Sequence, residues 1–448
     1  MDAPGALLPA GLEARQLAAR LIEAVLFKAH ALDDTLANED RSGRFRHLEP
    51  RDRGLARLIA STVLRRHGSL MAVLGAFLER PLPREASRPR AILLAGAAQI
   101  LLLGTPAHAA ISLAVEHCKR DGPSRRFDKL ANAVLRRVAT DGAALLAGLD
   151  TPRIDIPPWL WQRWVAAYGD ETATRIAAAS LVEAPLDLSV KSDPAIWAER
   201  LGGHVLATGS VRLGEHHRIE DIDGYHEGAW WVQDAAAALP VRLLGDIRGL
   251  NVADLCAAPG GKTAALAVAG ARVTSVDSSG QRLTRLAANM QRLGLSGAVE
   301  TVAADILAWE PSARFDAVLL DAPCSATGTI RRHPDILHLK RADDIGRLAR
   351  LQGELIRRAA RLVKPGGQLV VCTCSLEPEE GPEQIERLLA AEPDFERVAI
   401  DPPVIGAGPD WITPVGELRT LPFHMALATP ELSGMDGFHA ARLRRRPD

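Results

Sequence analysis

The sequence predicts three parts in order: an all-α domain, a small α+β segment and a doubly wound α/β domain. Three observations carry this. From residue 11 to about 140, apolar residues recur three and four apart with no strand signal. From about residue 149 the periodicity becomes mixed and Pro- and Trp-rich. From about 236 onward, short apolar runs alternate regularly with amphipathic helical patterns. A chain of 448 residues, 47% of them hydrophobic, can fill two or three cores.

The first domain, residues 1–148, is read from "EARQLAARLIEAVLFKA", "DRGLARLIASTVLRRHGSLMAVLGAFL" and "FDKLANAVLRRVAT", where apolar residues recur three and four apart. Breaks are expected at "RSGR", "RPLPR", "LGTPAH" and "RDGPSRR", which leaves six or seven helices. The uncharged run of residues 91–115 is long enough to span a bilayer. Gly104-Thr105-Pro106 divides it, and Gln99 and His108 are polar, so two buried helices are expected and no membrane partner. The start of the chain lacks a basic region followed by an apolar core and a cleavage site, which predicts a cytoplasmic protein. Residues 1–140 carry 22 Lys and Arg against 14 Asp and Glu, a balance of +8 in a chain of net −1. Such asymmetry fits a module that binds a polyanion, and fits equally a solvated Arg-rich helical surface.

Residues 149–235 open on "DTPRIDIPPWLWQRWVAAYGD", a linker entering a helix near Trp159. "APLDLSVKS" and "GHVLATG" then read as strands around the helical "DPAIWAERLG".

In residues 236–448 the runs "NVADLCAA", "ARVTSVDSS", "AVETVAAD", "FDAVLLDAP" and "GQLVVCTCS" are the expected strands of a parallel sheet, with helices between them. Ligands of such sheets bind beyond the carboxyl ends of the strands, where Cys256, Asp277, Asp305, Asp321, Cys324 and Cys374 fall. The segment "DLCAAPGGKT" is no phosphate-binding P-loop, because Cys256 stands where that motif needs its first glycine. It is a strand, a tight turn at Gly260-Gly261 and a helix start, which lets backbone N–H groups approach a ligand. Asp277 is placed to accept from a ribose diol, and Asp305 to meet an adenine amino group. Each could equally be a helix N-cap. Five cysteines, with no paired knuckles among Cys256, Cys324, Cys372 and Cys374, suggest reduced thiols and no metal. Two thiols and an acid at adjacent strand ends suggest covalent catalysis, since a thiolate is the strongest nucleophile available near neutral pH.

"DLCAAPGGKT", "DAPCSATG" and "TCS" together resemble the signature of the RNA 5-methylcytosine methyltransferases that use S-adenosylmethionine, over the C-terminal 210 residues or so. "RDRGLARLIASTVLRR", "RAILLAGAAQILLLGTPAHAAISLAVE" and "FDKLANAVLRR" resemble the NusB-like RNA-binding domain. Their fusion is similar to the RsmB (Fmu/Sun) family, which modifies 16S ribosomal RNA. The resemblance implies a Rossmann-like class I methyltransferase domain and a single-stranded or loop cytosine of 16S rRNA as partner. A monomer is expected. It also implies Cys374 as nucleophile, Cys324 in release, Asp321 at cytosine N3 and Lys262 beside that carboxylate. The implied cofactor set is Cys256, Ala257, Ala258, Pro259, Gly260, Gly261, Lys262, Asp277, Arg282, Asp305 and Asp321. Cys372, two residues before Cys374 on the same strand face, is expected to be buried packing. The chain departs from the family at "LSVK", with Ser189 and Lys191 where Arg and Asn are common, and at "DGFH", with His439 for Phe. The same chemistry on transfer RNA, and a silent RNA-binding assembly factor, are the competing expectations.

Overall fold

The computed structural model describes residues 9–43, 45–214 and 218–447. It divides into two compact units, Met1–Gln162 with His333–Lys340, and Arg163–Arg332 with Arg341–Asp448.

In the first unit the helices Leu12–Lys28, Leu32–Ser42, Pro50–Arg65, His67–Phe77, Ser87–Leu101, Ala107–Arg120 and Asp128–Ala147 surround a core that includes Leu21, Ile59, Leu94 and Leu135. The uncharged run splits, as its Gly-Thr-Pro predicts, into two core helices. Among the described residues no helix is long and apolar enough to cross a membrane. The helical stretch "DRGLARLIASTVLRRHGSLMAVLGAFL" forms two helices, which break at Arg66. Distant residues cause the break. The Asp155 carboxylate takes the Ser69 N–H at 2.7 Å and Arg66 Nε at 2.8 Å, and a Cβ on Gly68 would lie 2.0 Å from the Ile154 carbonyl oxygen. The segment His333–Lys340, which holds the short helix Ile336–Leu339, joins this unit, with the Leu32 N–H donating to Asp335 at 3.0 Å.

In the second unit, β1 (Leu186–Val190), β2 (His204–Val205), β3 (Val211–Leu213) and β4 (Trp230–Val232) form a small antiparallel sheet in the order β2-β3-β1-β4. The main sheet consists of β5 (Asn251–Leu255), β6 (Arg272–Asp277), β7 (Val299–Ala303), β8 (Phe315–Asp321), β9 (Val363–Thr373), β10 (Phe395–Arg397), β11 (Leu418–Thr420) and β12 (Phe438–Arg445). Its order is β10-β12-β9-β8-β5-β6-β7, with β11 on β12. The five anticipated strands, β5 to β9, are parallel. The sheet as a whole is mixed, because β12 returns antiparallel along β9 and carries β10 and β11.

Alternation along the central strands buries both faces. Ala317, Leu319, Val370 and Cys372 face one core, and Val318, Leu320, Leu369 and Val371 the other. Because β5 lies between β6 and β8, the chain reverses direction across the sheet at β5, and a crevice opens there beyond the strand ends. The register puts Leu255 beside Leu320, and Asp321 beside Cys372, so the ends of β5, β8 and β9 are level.

Candidate active site

After β5 the backbone turns sharply, with Cys256 at φ 60°, a cis Ala258–Pro259 bond and Gly260 at φ 104°. Only glycine fits at 260, since a Cβ there would be 2.7 Å from the Leu286 side chain. The turn is anchored by Ala257 N–H on the Val276 carbonyl at 3.1 Å. It delivers Gly261, Lys262 and Thr263 into the first turn of the helix Gly261–Val268.

Lys262 Nζ lies 2.8 Å from Asp321 Oδ2 and 5.0 Å from the centre of the Phe438 ring. Burial works against the ammonium charge, but the Asp321 carboxylate outweighs it and holds this lysine above its ordinary range. The next residue, Thr263, donates to Asp254 Oδ2, while Asp254 Oδ1 has no hydrogen-bond partner among the described residues. Burial pushes the Asp254 carboxyl up to about 7. The folded chain therefore keeps a proton that the unfolded chain releases near pH 4. Stability is expected to fall, by on the order of a few kcal/mol, as pH rises from about 4 to about 7. Asp254→Asn should flatten that slope. Urea midpoints of both proteins at pH 5 and pH 8 check this, and equal slopes would contradict it.

Asp277 ends β6 almost fully buried. Its carboxylate accepts from Ala258 N–H at 3.3 Å, Ser279 N–H at 2.9 Å and Arg282 Nη2 at 2.7 Å. Thus Arg282 reaches the site through Asp277. The cap of the helix Gly280–Arg292 is Ser279, so Asp277 is not its N-cap. Asp305, two residues past β7, is exposed and accepts from the Leu307 N–H at 3.0 Å, a local turn contact. Cys256 is half-buried, and burial together with Asp321, Asp277 and Asp254 pushes its thiol up to about 12. It stays protonated at neutral pH.

Beyond β8 and β9 the two half-buried thiols meet, with Cys324 Sγ 3.4 Å from Cys374 Sγ. The contact with Cys374 and burial raise the Cys324 thiol well above its ordinary value. Cys372 is fully buried in one core, its Sγ 3.6 Å from Asp321 Oδ1. Asp321 thus sits between Lys262 on β5's helix and the cysteine-bearing end of β9.

The departures from the family pattern lie elsewhere. Ser189 is buried and donates to Gln233 at 2.9 Å, and Lys191 donates to the Leu293 carbonyl. His439, on β12, is buried 2.8 Å from Glu417. Three nearby residues escaped the sequence reading. Phe438 lies under Lys262, and Ser325 and Ser375 each follow a cysteine and meet at 3.2 Å. The signal for the serines was the repeated Cys-Ser pair in "PCSA" and "TCSL"; for Phe438 there was none, since 176 positions separate it from Lys262. Among the described residues no three His, Cys, Asp or Glu side chains are arranged to hold a metal ion.

A family model described as 16S rRNA methyltransferase RsmB/F matches residues 244–444, and one for the NusB family matches residues 12–140. The ribosomal RNA small subunit methyltransferase B of Xanthomonas campestris pv. campestris is 38% identical over 403 residues, covering 86% of this chain and 90% of that protein. The protein of the same name from Pseudomonas putida is 36% identical over 447 residues, 96% of this chain and 98% of that one. A solved structure described as a methyltransferase homologue from Pyrococcus horikoshii is 28% identical, with a TM-score of 0.52 over 63% of this chain and 93% of its own.

Proposed function

The chain belongs to the RsmB/F family of 16S rRNA methyltransferases, and from that premise we propose that it methylates C5 of a single-stranded or loop cytosine in 16S rRNA through a covalent Cys374–C6 adduct. The observation that carries the reading is the juxtaposition of Cys374 with Cys324 at 3.4 Å, beside an Asp321 paired to Lys262 at 2.8 Å.

In this reading residues 1–148 bind RNA, residues 149–235 connect, residues 236–448 catalyse, and the protein works in the cytoplasm as a monomer. The donor set fits S-adenosylmethionine: carboxylates of Asp277, Asp305 and Asp321 at successive strand ends suit a cation bearing a ribose. Arg282 is 54% exposed, so the partner that a diol would displace from Asp277 is free to swing away. Residues 256–262 would line the same crevice. When bound, the cofactor supplies an activated methyl group.

The chain's own residues act on the base. The target cytosine must leave its stack to reach the crevice. Cys374 adds as a thiolate, its proton having gone to solvent: Sγ bonds to C6, the C5–C6 electron pair shifts into the C4–C5 bond, and the C4–N3 pair moves onto N3. Asp321 holds N3 through a hydrogen bond with the proton between them, and the Lys262 ammonium balances the carboxylate. C5 is thereby made nucleophilic. Once C5 is methylated its hydrogen must leave as a proton, after which the C6–Sγ bond breaks and the ring double bond re-forms. Cys324 serves this step. The contact that most strongly holds its proton is the one with Cys374; adduct formation removes that contact, the thiol gives up its proton to solvent, and the resulting Cys324 thiolate accepts the C5 proton.

Mass analysis of nucleosides from 16S rRNA and from transfer RNA, each incubated with enzyme and labelled cofactor, tests the proposal. Label in 5-methylcytidine of 16S rRNA is expected; label confined to transfer RNA, or none, would overturn it. The cofactor assignment has its own test. Asp277→Ala should weaken S-adenosylmethionine binding roughly tenfold to 150-fold, the loss of a charge-assisted hydrogen bond. Calorimetry on the purified protein measures it, and unchanged affinity would remove Asp277 from the site.

A further inference from the structure

We propose that Glu380 is a positioning residue for the thiol pair, clamping the loop after β8 to the loop after β9 and so setting the Cys324–Cys374 separation. Its functional consequence rests on the reaction proposed above; its geometry does not. The two loops run side by side in matched pairs. Cys324 meets Cys374 at 3.4 Å, and one residue further on Ser325 Oγ meets Ser375 Oγ at 3.2 Å. Thr327 Oγ1 then accepts the Leu376 N–H at 3.0 Å, and the Gly328 N–H donates to the Cys374 carbonyl at 3.0 Å.

Glu380 closes this arrangement. It lies five residues after Ser375, at the end of the turn Pro378–Glu380, and is 1% exposed. Its carboxylate reaches back across to the other loop, where Oε1 and Oε2 accept the Ser325 N–H at 2.9 and 3.1 Å and Oε2 also accepts the Ser325 hydroxyl. Thus the segment that carries Cys374 grips the residue next to Cys324. A carboxylate suits the task because it accepts at two oxygens at once from a backbone and a side-chain donor. Burial opposes its charge and pushes the carboxyl above its ordinary value, and the serine donors only partly offset this. Without it the buried Ser325 N–H loses its acceptor, and the loop must move to find another. Cys324, adjacent in the chain, moves with it.

The separation can be read without any methyl transfer. Diamide oxidises a close thiol pair to a disulfide, the two thiols giving two protons and two electrons to its N=N bond, and peptide mass analysis identifies the Cys324–Cys374 link. In the full-length protein, Glu380→Ala should slow closure of that link at least roughly tenfold and lower kcat about 10²-fold, with KM for S-adenosylmethionine within about twofold. Glu380→Gln keeps an acceptor for the Ser325 N–H and should recover part of both. Ser325→Ala, which removes only the hydroxyl, should give a smaller loss in both and stands in if Glu380→Ala does not fold. Closure at the wild-type rate in these variants, slowed closure with wild-type kcat, or a wild-type pair that does not close would overturn the clamp. Should Cys374→Ser still methylate RNA, the reaction proposed above fails, while the closure rates continue to report on Glu380.

Discussion

Cys374→Ser is expected to abolish both methylation and the trapping of RNA that contains 5-fluorocytosine. Trapping needs a sulfur–C6 bond and a C5 substituent that cannot leave as a proton, and a serine hydroxyl at this position lacks a thiolate's nucleophilicity. Cys324→Ala is expected to do the opposite in one respect. Attack and methyl transfer remain possible, but the base for the C5 proton is gone, so a covalent protein–RNA complex should accumulate with ordinary substrate and survive a denaturing gel. Multiple turnover should fall about 10²–10⁴-fold, the range that general acid–base groups contribute. Cys372 controls for chemistry at a neighbouring thiol. Its side chain is fully buried, and Cys372→Ser should leave the gel pattern of the wild type unchanged. A stable complex from Cys374→Ser, or normal turnover without a complex from Cys324→Ala, would reverse the division of labour between the two thiols.

Lys262→Met is expected to lower kcat about 10²–10³-fold, the cost of losing one well-placed charge-stabilising donor. The methionine occupies similar space over Phe438 and leaves Asp321 without its ammonium partner at 2.8 Å. The Asp321 side chain keeps 33% exposure, so water takes over part of the role and the folding cost should stay near 1–2 kcal/mol rather than that of a fully buried pair. Asp321→Asn should be comparably impaired. The double variant is the sharper measurement: residues acting as one unit give losses that do not add, so Lys262→Met/Asp321→Asn should be little worse than either single change. Fully additive losses in kcat would show that Lys262 acts independently of Asp321.

What was legible in the chain is what depends on neighbours in sequence. The five runs from "NVADLCAA" to "GQLVVCTCS" became β5 to β9 because short apolar segments between amphipathic helices have few other ways to be buried on both faces. The same period-two rule put Cys372 and Cys374 on one face and left only the second near the crevice. The Gly-Thr-Pro break in the uncharged run was likewise local, since proline lacks the N–H that a helix interior needs and its ring clashes with the preceding turn. Tertiary structure alone decided the rest. The helix break at Arg66 depends on Asp155, the incorporation of His333–Lys340 into the first unit brings Asp335 to Leu32, and β12 pairs with β9 from 68 positions away, Ala440 beside Cys372. The approach of Cys324 to Cys374, of Lys262 to Asp321 and of Glu380 to Ser325 follows from strand order and register. Side-chain periodicity tells which face a residue takes; which other residue it meets there is settled only when strands from distant parts of the chain become neighbours.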